Sequence, residues 1–139
     1  KAREERKESA EDGDASSAEP LLFEAKHKVS ADQSLRYAEA SGDRNPIHVD
    51  DEVAKMAGLP GVILHGLCTM AFVHNALVRH YEGDPLRIAR LAVRFSKPVL
   101  MNDELTISVR GQKAGPLTAS VVNDRGDVVL QQGVVELRD

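Results

Sequence analysis

Residues 66–81, GLCTMAFVHNALVRHY, read as a long helix that has to be covered. Leu67, Met70, Ala71, His74, Leu77, Val78 and Tyr81 fall at helical spacing, and an apolar helix of this kind persists in water only when its face packs against other elements. The downstream segments have the period that supplies the cover. Residues 87–97 set Ala89, Leu91, Val93 and Phe95 on one face, residues 104–111 do the same with Leu105, Ile107 and Val109, and 116–122 and 127–137 also read as strands. Asn123-Asp-Arg-Gly126 carries hairpin chemistry and Gly115-Pro116 marks another connection, so antiparallel pairing of successive strands is expected. The fold class is α+β.

Upstream, Leu21, Phe23, Ala25, His27 and Val29 alternate with polar residues as a strand does. Ser30-Ala-Asp-Gln33 has the form of a capping box for a helix ending near Gly42, and residues 50–57 predict a short helix with Asp50 as N-cap and Gly58 beyond its end.

Between these two helices and the long one runs SGDRNPIHVDDEVAKMAGLPGVILHG, residues 41–66. It sets a carboxylate, Asp43, five positions from an imidazole, His48, around Asn45-Pro46. Pro46 fixes its own φ and biases Asn45 toward extended backbone, so the loop is stiff. A carboxylate and an imidazole sharing one water can move its protons at neutral pH. Gly66 opens the long helix, where a backbone N–H at the positive end of the helix dipole stabilises a developing oxyanion with no side chain in the way. Taken alone, D-x-N-P-x-H also reads as a turn in which Asp43 caps a chain reversal.

The stretch from Tyr37 to Val73 resembles the hydratase signature of the MaoC-like family of (R)-specific enoyl-CoA hydratases and dehydratases. The family pattern is S-G-D-x-N-P-x-H-x-D, an Ala and a Gly in a short helix, then I-x-H-G. Ser41, Gly42, Asp43, Asn45, Pro46, His48, Asp50, Ala54, Gly58, Ile63, His65 and Gly66 fill it. Val93-Arg94-Phe95-Ser96-Lys97-Pro98-Val99 is similar to the family's R-F-x-x-P-V strand, so the likeness spans about residues 22–137.

The resemblance implies a hot-dog fold, an antiparallel sheet wrapped around one long helix. It implies that Asp43 and His48 activate a water for addition to a trans-2-enoyl thioester, giving a (3R)-hydroxyacyl thioester. Gly66 would bind the thioester oxygen, Asn45 would orient the pair, and Ser41 would support it. No cofactor is expected, coenzyme A being part of the substrate. An acyl-CoA is expected as ligand, with an acyl carrier protein as the alternative carrier, and the protein is expected to form a homodimer or to pair with a second hot-dog half.

Two positions depart from the family. His74 stands where some relatives carry a Ser that supports the catalytic Asp; it is either a core histidine or a group at the site or acyl tunnel. Met101-Asn102-Asp103 replaces a common Pro-Gly-Asp, and Asn102 tolerates the same turn.

Composition bounds the remainder. With 139 residues and 42% hydrophobic content, the chain fits one domain, expected over residues 21–139, preceded by a tail or linker at 1–20 that is rich in charge and lacks hydrophobic periodicity. A formal charge of -4 gives no footprint for nucleic acid, and no run approaches the roughly 20 apolar residues that span a bilayer, so neither partner is expected. The single cysteine, Cys68, reads as a small buried hydrophobe within the long helix, and a cytoplasmic location is the simplest expectation. Metal ligation by His48, Asp50 and His65 lacks a recognisable spacing, so no metal is expected. Arg87 and Arg90 read as a solvated sheet edge, with a phosphate contact as the alternative, and Arg94 reads as half of a structural ion pair. Two other functions compete: a thioesterase, poorly supported by Glu52 alone, and a non-catalytic or partner-dependent subunit of a larger hydratase assembly.

Overall fold

A computed structural model of the chain describes residues 19–139. Its elements in order are β1 (Leu21–Lys28), α1 (Gln33–Ser41), a 3-10 turn (Pro46–His48), α2 (Asp51–Met56), α3 (Gly66–His80), a second 3-10 turn (Pro85–Arg87), β2 (Ile88–Phe95), β3 (Glu104–Gly111), β4 (Leu117–Val122) and β5 (Val128–Leu137). The five strands form one antiparallel sheet in the order β1-β3-β4-β5-β2. Hairpins join β3, β4 and β5 as expected, but β2 pairs with β5 rather than with its successor β3, and β1 takes the place beside β3.

The sheet covers α3 with its alternating positions. Leu105, Ile107 and Val109 of β3, Leu117, Ala119 and Val121 of β4, and Leu130 and Val135 of β5 form a core with Cys68, Val73 and Leu77 of α3. Burying one such Leu or Val stabilises the fold by about 1.5–3 kcal/mol. This is the hot-dog arrangement that the sequence resemblance implies. Among the described residues, no helix is long and apolar enough to cross a membrane.

Local chemistry explains the element ends. Asp50 accepts from the backbone N–H groups of Glu52 (3.0 Å) and Val53 (3.3 Å), so it caps α2 as its position predicts. Gly42 ends α1 at φ +80° and Asn102 occupies the left-handed region at φ +66°. The capping box at α1 is only half made: the Gln33 side chain reaches back to the Ser30 N–H (3.5 Å), but the Ser30 hydroxyl donates to Gln33 Oε1 (3.1 Å) instead of accepting from the first turn. Regular alternation fails in β2, where register shifts at Ile88/Arg90 and Ala92/Arg94 leave Ala89 exposed and Phe95 47% exposed instead of facing the core.

The expected tail at 1–20 lies almost wholly outside the described residues. Gly111 N–H donates to Pro20 O (2.9 Å) and Arg110 to Glu19 O (3.3 Å), so contact with β3 extends to residues before Leu21.

Candidate active site

Asp43 is held at each of its polar groups. Its N–H donates to Ser41 Oγ (3.1 Å), its carboxylate accepts from Asn45 N–H (3.2 Å), and its carbonyl accepts from His65 Nε2–H (2.9 Å). Asn45 Oδ1 accepts from Ile47 N–H (3.4 Å), capping the 3-10 turn that Pro46 opens and His48 closes. Asn45, expected to orient the pair, caps the turn with its side chain and donates its own N–H to the Asp43 carboxylate.

His48 is 8% exposed, and its Nδ1–H donates to Ile63 O (2.8 Å). That bond places the proton on Nδ1 and leaves the lone pair on Nε2. Ile63 is itself fixed, donating to Ile47 O (3.1 Å) and bridging to Leu100, while Leu64 N–H donates to Val99 O (2.8 Å). The motif loop, the segment entering α3 and the β2–β3 connection are laced together at this point.

Gly66 is the first residue of α3, so its N–H belongs to the helical turn that has no intrahelical acceptor. A cleft of about 310 Å³ opens beside it, lined by His48, Gly66, Thr69, Phe95, Ser96 and Val129 among others. Its walls are largely apolar, with His48 and the first residue of α3 among them. Asp43 is exposed and does not line this cleft, but its carboxylate lies within 4.8 Å of imidazole nitrogens of His48 and His65.

Asp43, His48 and His65 therefore each bring a ligand atom close to the others, a grouping that differs from the His48, Asp50 and His65 weighed from sequence. Asp50 is occupied as the cap of α2. The rings of His48 and His65 are stacked, with centroids 3.8 Å apart and planes 22° from parallel. An imidazole binds a cation in its own plane, at about 2.0–2.1 Å for zinc. One ion cannot lie in both of these planes at that distance.

The chain's place among known proteins agrees with this geometry. The sequence profile described as MaoC like domain fits residues 14–132. The chain belongs to that family. A probable enoyl-CoA hydratase 2 from Dictyostelium discoideum is 37% identical over 114 residues, which are 79% of this chain and 38% of the relative. Of solved structures, a MaoC-like dehydratase from Phytophthora capsici superposes with a TM-score of 0.81 at 31% identity, covering 86% of this chain and 41% of that one. The ChsH1–ChsH2 complex from Mycobacterium tuberculosis contains a chain that superposes with a TM-score of 0.61 at 25% identity, covering 86% of this chain and 94% of that one. This MaoC-like domain thus spans about two-fifths of the length of the curated hydratase it resembles.

Other positions in the MaoC-like domain fall away from the cleft. His74 is half-buried on α3 and does not line it. Arg90 pairs with Glu136 (3.1 Å) at the exposed sheet edge, and Arg87 lies 5.7 Å from the centre of the Tyr81 ring. Arg94 donates to Gln132 Oε1 (3.5 Å), an uncharged acceptor, where the register shift in β2 sets it opposite Gln131 of β5. Cys68 is 3% exposed, and burial pushes its thiol up to about 11. A second groove, about 400 Å³ between β1 and α3, is lined by Phe23, His27, Phe72 and Arg79 among others and contains none of the motif residues.

Two residues near the site have roles that motif reading did not supply. His65 entered only as a motif letter and a weak ligand, yet it bonds Asp43 and stacks on His48. Phe95 was expected in the core, yet it walls the cleft against Gly66. The I-x-H-G spacing was the available signal for His65, and the R-F-x-x-P-V run was the one for Phe95, though neither says what its residue touches.

Proposed function

We propose that this domain is an (R)-specific enoyl-thioester hydratase, acting in reverse as a 3-hydroxyacyl-thioester dehydratase, with trans-2-enoyl-CoA as substrate. The observation that carries the reading is that the His48 imidazole and the first residue of α3 line one largely apolar cleft, while the Asp43 carboxylate, outside that lining, lies within 4.8 Å of an imidazole nitrogen of His48. Kinship with an enoyl-CoA hydratase 2 supports it.

The chemistry balances on water alone. The thioester oxygen accepts from Gly66 N–H, where the helix dipole favours the negative charge that builds as C3 is attacked. A water held by the Asp43 carboxylate gives one proton to His48 Nε2 as its oxygen bonds C3, and the enolate then takes that proton at C2. Both additions come from the side of the acid/base pair, so the addition is syn; the 3R configuration is what membership of the MaoC-like family supports. No electrons change hands, so no cofactor is invoked beyond the coenzyme A carried by the substrate.

The assembly is part of the proposal. A second hot-dog unit, either a copy of this domain or another half, pairs with this one and completes the acyl-binding wall. The similarity to a chain of a two-component complex supports this, as does the fraction of its curated relative that the chain spans.

The test is hydration of short and long trans-2-enoyl-CoA by the purified chain and by Asp43→Asn, with product stereochemistry determined. A (3R)-hydroxyacyl product that disappears in the variant supports the reading. Absence of turnover at every chain length, with the second unit supplied, overturns it.

A further inference from the structure

We propose that His65 is a positioning residue that holds the acid, the base and the oxyanion donor in one frame, an inference that rests on the hydratase reading for its kinetic test. His65 is 3% exposed and is the residue at the N-cap of α3, yet its side chain makes no capping hydrogen bond there. The imidazole instead crosses to the motif loop, where Nε2–H donates to Asp43 O at 2.9 Å. A carbonyl accepts only from a protonated nitrogen, so the tautomer is fixed with the proton on Nε2.

The same ring lies against His48, 3.8 Å between centroids, and against Tyr37 at 4.7 Å. His48 is thus fixed along one edge by Ile63 O and across one face by His65. The backbone of His65 precedes the Gly66 N–H, and its carbonyl accepts from Cys68 (3.0 Å) and Thr69 (3.3 Å) to start the helix. Three groups that must act on one substrate are therefore referenced to one residue, two through its ring and the third through its backbone.

The remaining nitrogen shows why a histidine rather than an apolar ring stands here. Nδ1 of His65 is buried with no hydrogen-bond partner, an arrangement that costs stability and that Phe or Leu would avoid. What the imidazole adds over an apolar ring is the Nε2–H reaching Asp43.

Two substitutions separate the donor from the ring. His65→Phe keeps a ring against His48 and Tyr37 but has no donor, whereas His65→Gln keeps an N–H within reach of Asp43 O and loses the stack. Displacing catalytic groups by about 1 Å costs roughly 100-fold in rate. The expected result is a kcat lower by about that factor in His65→Phe with KM little changed, and partial recovery in His65→Gln, which regains the donor to Asp43 but not the stack on His48. Wild-type kcat in His65→Phe, or equal loss in both variants, overturns the proposal.

A second readout does not depend on turnover. Nitrogen-15 imidazole NMR of the full chain should show the Nε2–H tautomer for His65, and the amide resonances of Asp43 and Asn45 should move in His65→Phe and return in His65→Gln. If the parent chain hydrates no enoyl-CoA, the hydratase reading fails while these spectra still decide the role of His65. Unmoved loop amides in His65→Phe overturn it.

Discussion

The ring of Phe95 lies so close over Gly66 that a Cβ on Gly66 would meet its Cε2 at 2.9 Å and its Cζ at 3.0 Å. The contact sets a strand at one edge of the sheet against the N-terminus of the central helix. In Gly66→Ala the ring has to swing away, and being 47% exposed it has room to do so. Activity should therefore suffer far more than stability: kcat/KM falls by at least about 10-fold while Tm moves by a few degrees. Phe95→Ala in the same chain removes the clash but not the blocked approach to the N–H, so it should restore Tm and not turnover. Thermal melts and kinetics on the two variants check both halves.

Asp43→Asn and His48→Gln should each remove most turnover, by about 100- to 10,000-fold, the usual cost of losing a general acid or base. Asp43→Asn should leave Tm nearly unchanged, because the residue is exposed and its backbone bonds persist. Wild-type rates in either variant exclude these residues from proton transfer.

Much of this site was legible in the sequence because its geometry is local. The Pro46 turn and the Asp50 cap each close within a few residues, so residue type and spacing determine them. The pairing of β2 with β5 and the shifts that turn Phe95 out of the core depend on strands far apart in the chain, and neither leaves a periodic mark. The bond from His65 to Asp43 spans 22 residues and is set by how the loop lies on the helix end. For the same reason His74, at core spacing on paper, misses the cleft.

Cys68 should be chemically quiet. Burial pushes its thiol up to about 11 and it is 3% exposed, so a thiol reagent at pH 8 should label the native chain slowly and the urea-unfolded chain fast. Cys68→Ala should keep wild-type kcat with a stability loss of about 1 kcal/mol from the small cavity. Rapid stoichiometric labelling of the native chain contradicts this picture.

His27 gives the fold a pH dependence of known sign. Burial, and then the charge of Arg79, hold its imidazole below the ordinary value of 6.5. The unfolded chain therefore binds a proton that the folded chain resists. Stability present above about pH 6.5 is lost as pH falls through the folded value. His27→Phe keeps a ring against Phe72, which stacks at 3.8 Å, and removes the titration. Its Tm should fall less steeply than the parent's between pH 7 and pH 5, as read by melts across that range.

Gly133 tests the sheet. It sits opposite Ala119, and a Cβ there would lie 2.6 Å from Ala119 O, a backbone atom that cannot swing aside. Gly133→Ala should destabilise by about 1–3 kcal/mol, as overpacking does, measured by urea denaturation. A neutral result means that β4 and β5 separate more readily than their register implies.

The side-chain and carbonyl bonds that fix Asp43 and His48 close within residues 41–66, the longest reaching from His65 back to Asp43. Loops of that size close at modest entropic cost. The candidate site is thus a self-contained cassette tied to the rest of the fold at a few points, Leu64 to Val99 of the β2–β3 connection and Phe95 over Gly66 among them. Sequence change in strands β3 to β5 can then proceed without redrawing the loop that holds Asp43 and His48.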